Sequence, residues 1–310
     1  MDNSTKTVVI IVNFNGKEFL DRCLESLQCQ VFHNFKTVVV DNFSRDGSVE
    51  GIEGRFPNVE VVRLEENVGF AAANNYAIKR AEGFQWVALL NPDAIAEPDW
   101  LSNLHMAAEK NSRYNFFGSH LKKQGSLNQL DGTGDVYHLC GLAWRRDHGM
   151  PEKQTSRLVE EIFSPCAAAA MYRRDIVMDV DGFDERFFCY FEDIDLSFRL
   201  RLLGHRCLYV PNAKVEHFGS AIAGRRSDFA VYHGHRNMVW AYVKNMPSRL
   251  FWRGLPQHIL ANLAALIWFS LTGQAGPIFK AKRDALIGLR KTIEQRKSIQ
   301  KNIKVSSRNL

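Results

Sequence analysis

The 310-residue sequence has few features of a secreted, zinc-binding or membrane-spanning protein. Its six cysteines include no CxxC pair, no zinc spacing and no compact framework, so we expect reduced thiols and a cytoplasmic protein. The first residues are polar and run straight into a strand pattern, which argues against a secretion signal. The apolar run from Ile259 to Phe269 falls short of the roughly 20 residues that cross a bilayer, so we expect an interfacial or buried helix there.

Charge is distributed unevenly along the chain. The net charge is +6, but residues 280–310 contain ten Lys or Arg and two acidic residues, a net +8 that leaves about −2 for the rest. A basic tail after an apolar helix suits an anionic membrane surface. Nucleic acid is not an expected partner, because the basic residues are not interleaved with aromatic residues that could stack on bases.

Apolar strand patterns alternate with helical patterns in the first third of the chain. The strand patterns cover residues 7–12, 36–41, 59–64 and 86–90. This alternation predicts an α/β fold with a mainly parallel sheet covered by helices on both faces. Ligands of such sheets bind beyond the carboxyl ends of the strands, where Asn13, Asp41 and Asp93 fall.

The later segments give weaker patterns. Residues 118–161 have irregular patterning and are interpreted as extended strands and loops, with acceptor binding as a hypothesis. Residues 194–203 predict an amphipathic helix ended by Gly204, and residues 207–211 and 214–217 predict two short strands.

The segment from Gly182 to Asp195 contains five carboxylates among aromatic residues. Carboxylates beside apolar surface are unfavourable unless they bind something, so this cluster indicates a base with a tuned pKa or a cation site. The aromatic residues among them are interpreted mainly as core.

Each of the other polar motifs has two interpretations. Asp41 can accept hydrogen bonds from a ribose or base, or cap the following turn. Asn91-Pro92-Asp93 can bind a divalent cation together with substrate phosphates, or form a plain surface turn. A lone histidine such as His217 is more often a core residue than a ligand. Residues 67–75 form a loop-to-helix element whose Gly69 permits close approach, although a simple helix start explains it equally well.

Six motifs in order carry a resemblance to a known family. They are VVIIVNFNG, VVVDNFSRDGS, ENVGFAAANN, LLNPDA, GFDERFFCYFEDIDLSFRLRLLGH and VPNAKVEHFGS. Together they resemble the inverting nucleotide-sugar glycosyltransferases of glycosyltransferase family two, in the bacterial rhamnosyltransferase-like branch that builds surface polysaccharide such as O-antigen or capsule. The resemblance implies a GT-A domain over residues 1–220, Rossmann-like with flanking helices, followed by a helical, basic and membrane-proximal region over residues 221–310.

The resemblance also implies roles for individual residues. Asp193 matches the catalytic base, and Asp93 and His217 would hold Mg²⁺ or Mn²⁺. Asn91 stands where the family's DXD metal motif has its first acidic residue. The residues implied in donor or acceptor binding are Asn13, Asn15, Asp41, Asn67, Gly69, Asn75, Asn91, Asp184, Glu185 and Glu192.

Beyond residue 220, Arg225, Arg226 and the group His233, His235, Arg236 and Asn237 can meet a diphosphate or form a solvated basic face.

The implied function is metal-dependent transfer of a sugar with inversion, L-rhamnose from dTDP-rhamnose, to a polyprenyl-diphosphate-linked or growing glycan on the cytoplasmic face of the inner membrane. A UDP-hexose or UDP-N-acetylhexosamine donor is the alternative within enzymes. An inactive nucleotide-sugar-binding scaffold subunit is the alternative outside them.

Overall fold

The computed structural model describes residues 6–126, 128–154, 158–219 and 227–306. Its strands are β1 Thr7–Asn13, β2 Phe35–Asp41, β3 Val59–Arg63, β4 Trp86–Leu90, β5 Ala94–Ala96, β6 Phe116–Lys123, β7 Leu130–Gly132, β8 Asp135–Tyr137, β9 Ala143–Arg145, β10 Glu160–Ile162, β11 Ala169–Arg173 and β12 Cys207–His217. Its α-helices are α1 Leu20–Gln28, α2 Ile52–Arg55, α3 Gly69–Arg80, α4 Trp100–Lys110, α5 Arg174–Met178, α6 Glu192–Leu202, α7 Asp228–Asn245, α8 Ser248–Leu271, α9 Ala275–Ile287 and α10 Leu289–Lys301.

The first four strands form the parallel half of one large sheet. β1 pairs in parallel with both β2 and β4, and β2 pairs in parallel with β3. All seven residues of β1 are buried, and alternate residues pack into two different cores. Because successive side chains of a strand point to opposite faces, both faces of this half are covered, as the apolar strand patterns predicted.

The other half of the sheet is mixed, so the prediction of a mainly parallel sheet holds only for the N-terminal half. The sheet order is β10-β12-β6-β11-β4-β1-β2-β3, with β5 paired to β12 and β7 to β6. β11 is antiparallel to β4 and β6, and β12 is parallel to β6. The prediction of two short strands at 207–211 and 214–217 is wrong, because β12 is continuous, with a register shift between Val210 and Lys214 that accommodates Pro211.

α6 begins with the acidic residues Glu192 and Asp193 and ends at Leu202, close to the predicted bounds. Gly204 follows with φ +93° and donates its N–H to the Arg201 carbonyl, as expected of a glycine that ends a helix. The amino end of α6 therefore carries carboxylates where the helix dipole favours negative charge.

The C-terminal region is a set of four helices that packs onto the sheet domain. α7 packs against α6, α9 and α10. α8 is long and apolar enough, by length and composition, to cross a membrane, with 24 residues and a mean hydropathy of 1.2. The prediction of a helix too short to span was wrong, because the apolar run of 259–269 continues a helix that starts at Ser248. The predicted domain boundary at 220 stays a prediction.

Candidate functional site

A cleft of about 660 Å³ opens beside the carboxyl end of β4. It is bordered by the residue after β4, by the β7–β9 segment, by residues 166–168 before β11, and by the loop and first turn of α6. Phe70, Gly219 and Gly234 also line it. The side chains that matter for its chemistry are Asn91, Asp131, Asp135, Arg145, Cys166, Glu192 and Asp193. A second cleft, of about 610 Å³, lies by the amino ends of β2 and β3 and contains none of the predicted site residues.

Asp93 and His217 meet next to the cleft without being part of its wall, and His217 is bonded to Asp131, which does line the cleft. The antiparallel pairing of β5 with β12 brings His217 opposite Ala94, the residue after Asp93. Asp93 Oδ1 lies 3.3 Å from His217 Nε2, and both side chains are buried. His217 Nε2 is buried without a hydrogen-bond partner among the described residues. A carboxylate oxygen and an available imidazole nitrogen side by side form a donor set that a divalent cation can use.

Asp131 on β7 fixes the other nitrogen of His217. The distance from His217 Nδ1 to Asp131 Oδ2 is 2.7 Å, and Arg145 donates to the same carboxylate. Burial raises the pKa of Asp131, but the bonds from His217 and Arg145 outweigh it and lower that pKa to about 2. A ligand histidine whose second nitrogen meets a carboxylate is held in one orientation and is a better donor. The sequence analysis missed Asp131, because nothing in the irregular 118–161 segment marks it.

The two carboxylates also determine the charge preference at His217. Burial alone would lower the pKa of His217, but the hydrogen bond to Asp131 and the negative charges of Asp93 and Asp131 raise it above its ordinary value. The position of Nε2 therefore favours a positive charge, whether a proton or a metal ion.

Asp193 lies on the far wall of the cleft, in the first turn of α6. Its carboxylate accepts N–H bonds from Ala167 at 3.2 Å and from Ile194 at 2.8 Å. Burial raises the pKa of Asp193, and these two bonds and Arg145 oppose the rise without cancelling it. A carboxylate with a raised pKa at a cleft is the arrangement expected of a general base.

Glu192 and Asp193 lie in different surroundings. Glu192 is buried and its Oε2 has no hydrogen-bond partner in the described part of the chain. Burial and then the charge of Asp193 raise the pKa of Glu192 well above its ordinary value. Asp193, with two backbone donors, is thus the more readily ionised of the pair, which agrees with its predicted role as base.

Asp135, Cys166 and Asp193 place ligand atoms within 4.8 Å of one another. Arg145 donates to the Cys166 sulfur at 2.8 Å and so sets a guanidinium charge beside this group. We assign no cation to these three residues, because Arg145 already supplies the positive charge. Burial and the charge of Asp193 raise the pKa of Asp135 to about 8. The sequence analysis missed both Asp135 and Arg145.

Asn13, Asn15 and Asp41 lie together beyond the ends of β1 and β2, where the register pairs Asn13 with Asp41. Asn13 Nδ2 donates to Asp41 at 3.3 Å, to Ser44 at 3.0 Å and to Ser48 at 2.8 Å. Asn15 Oδ1 accepts from the Arg45 N–H at 2.9 Å. These residues form a preorganised polar edge, but they are not part of the cleft wall.

Gly69 allows a close approach, as predicted, but the approaching group is an aromatic side chain. A Cβ at Gly69 would lie 2.5 Å from the Phe188 ring and 2.7 Å from the Phe188 carbonyl, and its φ is +85°. Phe188 belongs to the aromatic loop, which we define as residues 187–191. Asn67 Oδ1 accepts from the Gly69 N–H at 3.0 Å in the turn just before α3.

Asn75, Asp184 and Glu185 are also predicted binding residues that lie outside the cleft wall. Asn75 is buried and bonds Phe183 through both its amide groups, and it also donates to Glu185 at 3.0 Å. Asp184 is buried and paired with Arg186 and Lys244, each at 2.8 Å or less. The polar atoms of Asn75 and Asp184 are thus used inside the protein, and the role of these two residues in donor or acceptor contact stays a prediction. Glu185 is half exposed and also lies 3.7 Å from Lys79.

Two further predictions concern the region after residue 219. Arg225 and Arg226 lie outside the described residues. Arg236 and Asn237 are buried, with 8% and 0% exposure, so they belong to neither a solvated basic face nor an open diphosphate site.

Residues 8–181, more than half of the chain, match the family model described as Glycosyl transferase family 2. Among curated relatives, an N-acetylglucosaminyl-diphospho-decaprenol L-rhamnosyltransferase of Mycobacterium tuberculosis is 28% identical, over 73% of this chain and 80% of its own. The O-antigen biosynthesis protein RfbC of Myxococcus xanthus is 27% identical, over 72% of this chain and 18% of its own.

Solved structures show the same fold. GalNAc-T7, crystallised with UDP, GalNAc and Mn²⁺, superposes with a TM-score of 0.62 at 16% identity, over 79% of this chain and 48% of its own. S. aureus TarS 1–349 in complex with UDP-GlcNAc superposes with a TM-score of 0.59 at 18% identity, over 96% of this chain and 90% of its own. The predicted GT-A fold is confirmed.

Proposed function

The chain belongs to glycosyltransferase family 2, and from that premise we propose that it transfers L-rhamnose from dTDP-rhamnose, with inversion and metal dependence, to a lipid-diphosphate-linked glycan. The observation that carries the proposal is that Asp131 and Asp193 line the same cleft, and that Asp131 bonds His217. Asp131 thus links this cleft to Asp93 and His217, the proposed cation site, and Asp193 is the proposed base.

Asp93 and His217 are the residues that would hold Mn²⁺ or Mg²⁺. A bound divalent ion would stabilise the negative charge of the departing nucleoside diphosphate. The imidazole nitrogen favours Mn²⁺, because Mg²⁺ prefers oxygen ligands throughout. GalNAc-T7 was crystallised with UDP and Mn²⁺, which supports a divalent ion here.

Asp193 would take the proton from the acceptor hydroxyl as that oxygen attacks the anomeric carbon. A hydroxyl is too weakly acidic to attack unaided, so the base must lie within hydrogen-bond reach of it. The bond from the anomeric carbon to the diphosphate breaks with its electron pair leaving on the diphosphate, and one displacement inverts the centre.

The names of two relatives support the proposed donor and acceptor. The mycobacterial relative is named as an L-rhamnosyltransferase acting on N-acetylglucosaminyl-diphospho-decaprenol, and RfbC is named for O-antigen biosynthesis. We therefore favour rhamnose and a polyprenyl-diphosphate acceptor in surface polysaccharide synthesis. TarS, crystallised with UDP-GlcNAc, keeps a UDP-N-acetylhexosamine donor as the second candidate.

The experiment that tests this function is thermal-shift titration of the full chain with dTDP, UDP and GDP, each with and without Mn²⁺. We expect dTDP to stabilise the protein only when Mn²⁺ is present, by about 2.7 kcal/mol at 100 times its Kd. Metal-dependent stabilisation by UDP alone would favour the second candidate, a UDP-N-acetylhexosamine donor. A folded protein stabilised by none of the three would contradict the proposed transfer reaction.

We further propose that α8 lies on the cytoplasmic surface of an anionic membrane. Only 11% of the apolar window of α8 is buried, and its exposed apolar side chains include Leu260, Leu263, Ile267, Trp268 and Leu271. Exposed apolar area of this kind marks a membrane or protein interface. The net charge of +8 in residues 280–310 complements anionic lipid. We therefore favour a membrane over a protein partner for this surface.

The position of α8 suits a lipid-linked acceptor. His258 on α8 bonds the Cys140 carbonyl at 2.7 Å, and Gly254 allows the helix to contact Leu139. Residues 139 and 140 belong to the loop between β8 and β9, and both of those strands border the cleft. The apolar helix is thus packed directly on a wall of the proposed acceptor site.

The paired substitution Leu260→Glu and Ile267→Glu is expected to abolish co-sedimentation with vesicles containing phosphatidylglycerol. Two buried charges oppose insertion of the apolar face into the lipid. The matched control is Val31→Glu with Met106→Glu, two exposed apolar residues of the sheet domain. The membrane proposal would be wrong if the wild-type chain ignored anionic vesicles at low salt, or if both pairs reduced binding equally.

A further inference from the structure

The aromatic loop, residues 187–191, has an unusual backbone. Phe188, Tyr190 and Phe191 have φ values of +65°, +67° and +66°, although none of them is glycine. Bulky residues rarely adopt this left-handed region, and they do so only where the surroundings enforce it. The loop therefore depends on contacts that hold it in place.

The loop also sets the position of the proposed base. Phe191 is the residue directly before α6, and Asp193 follows two residues later. Cys189, Tyr190 and Phe191 border the same cleft as Asp193. A change in the backbone of the loop would move the first turn of α6 and the carboxylate on it.

One buried amide on α7 supplies the contacts on the loop. Asn237 is 0% exposed. Its Nδ2 donates to the carbonyls of Phe187 at 2.8 Å, Cys189 at 2.9 Å and Tyr190 at 2.7 Å. An amide has two N–H groups, so the three carbonyls share them. These carbonyls point inward together only because the loop has its left-handed residues.

Arg236 orients that amide. Its Nε donates to Asn237 Oδ1 at 2.9 Å, which turns the NH₂ group toward the loop. Its Nη2 donates to the carbonyls of Arg186 and Phe187, both at 3.0 Å. The guanidinium also stacks on Trp240, 4.5 Å from the ring centroid, so the arginine is itself held in place.

Buried ion pairs fix α7 to α6. Lys244 contacts Asp184 at 2.7 Å and Asp195 at 2.9 Å, and Asn245 donates to Asp195 at 2.8 Å. Asp195 is 0% exposed and is two residues from Asp193. α7 thus contacts the chain both before Asp193, at the aromatic loop, and after it, at Asp195.

We propose that Asn237, oriented by Arg236, is a positioning residue for the transfer reaction. It holds the aromatic loop so that Asp193 meets the acceptor hydroxyl, and it makes the C-terminal helical region part of the catalytic unit. This inference rests on the proposed function, but its effect on the loop can be measured without any turnover.

The test compares Asn237→Ala with Tyr242→Phe. Tyr242 is also 0% exposed on α7, but its hydroxyl donates to the Phe251 carbonyl on α8 and not to the loop. We expect both variants to lower Tm. Only Asn237→Ala should speed hydrogen exchange of the amides of residues 188–193, and only it should lower kcat, by about 10²-fold, the scale of a misplacement near 1 Å. The KM for the nucleotide sugar should change less than about threefold, since the cation site is untouched.

Equal exchange of the loop in the two variants, or an equal fall in kcat, would overturn the proposal. If Asn237→Ala does not fold, Arg236→Gln takes its place, because it removes the bond that orients the amide and leaves Asn237 itself. It should change exchange and kcat in the same direction by a smaller factor, and no change in either would also overturn the proposal. A wild-type protein that binds no nucleotide would defeat the proposed function, while the exchange experiment would still decide the role of Asn237.

Discussion

Replacing Asp193 by Asn is expected to lower kcat by about 10²- to 10⁴-fold, the range for loss of a general base. The amide keeps the shape of the side chain but cannot take the proton of the acceptor hydroxyl. Donor binding should persist, because Asp93 and His217 are unchanged. The measurement is kcat with saturating donor and acceptor, together with Mn²⁺-dependent nucleotide binding by thermal shift.

The matched control for this variant is Asp179→Asn, which removes an exposed carboxylate at the end of α5, outside the cleft. It should leave kcat within about twofold. If Asp193→Asn kept wild-type turnover, Asp193 could not be the base, and Asp135, which lies within reach of the same space, would be the next residue to test.

The pH dependence of the wild-type enzyme should report the same group. A base works only when deprotonated, so kcat should rise with pH through the pKa of Asp193. Burial raises that pKa, so the acid limb should have its midpoint above the ordinary aspartate value of about 3.9. The limb should be absent from the residual activity of Asp193→Asn. A midpoint at or below the ordinary value would contradict the burial of this carboxylate.

Replacing Asp93 by Ala is expected to weaken Mn²⁺-dependent nucleotide binding by at least about 10- to 100-fold. This is the range for loss of a residue that only orients a metal ligand, and Asp93 would bind the ion directly. Isothermal calorimetry of nucleotide binding at fixed Mn²⁺ measures the change. Binding without metal should differ little from that of the wild-type chain.

Asp99→Ala is the control for this experiment. Asp99 is an exposed carboxylate before α4 that makes no side-chain cap bond, so its loss should leave binding unchanged. The loss of Mn²⁺-dependent nucleotide affinity in Asp131→Asn should lie between the losses in Asp93→Ala and Asp99→Ala, because Asp131 orients His217 without contacting the proposed ion. Normal metal-dependent binding by Asp93→Ala would place the cation elsewhere.

The local sequence predicted those elements whose pattern is strong by itself. β4 matched its predicted bounds, and the predicted bounds of β1, β2 and β3 were within a residue or two of the observed ones, because runs of apolar β-branched residues are typical of buried parallel strands. The ends of β1 and β4 were predicted to carry ligands, and Asn13 and Asp93 lie there. The family was also readable from the sequence, since six motifs occur in the family's order.

Long-range packing could not be predicted in the same way. Asn75 and Asp184 carry the right residue types for binding, yet their polar atoms bond Phe183, Arg186 and Lys244 inside the protein. Neither the spacing nor the residue type distinguishes a carboxylate that faces a cleft from one that pairs with a distant lysine. That distinction depends on which helix packs against it.

The sequence by itself determined the family, the parallel half of the sheet, and the residues Asp93, Asp193 and His217, because these depend on short patterns and motif order. Only the tertiary structure decided that Asp131 and Arg145 support His217, and that Asn237 holds the aromatic loop. Those contacts join residues 14 to 86 positions apart through side-chain bonds across β7, β9, β12 and α7, and such bonds leave no periodic signal in the chain. The proposed ligands and base were therefore named from the sequence, and the residues that orient them were found only in the fold.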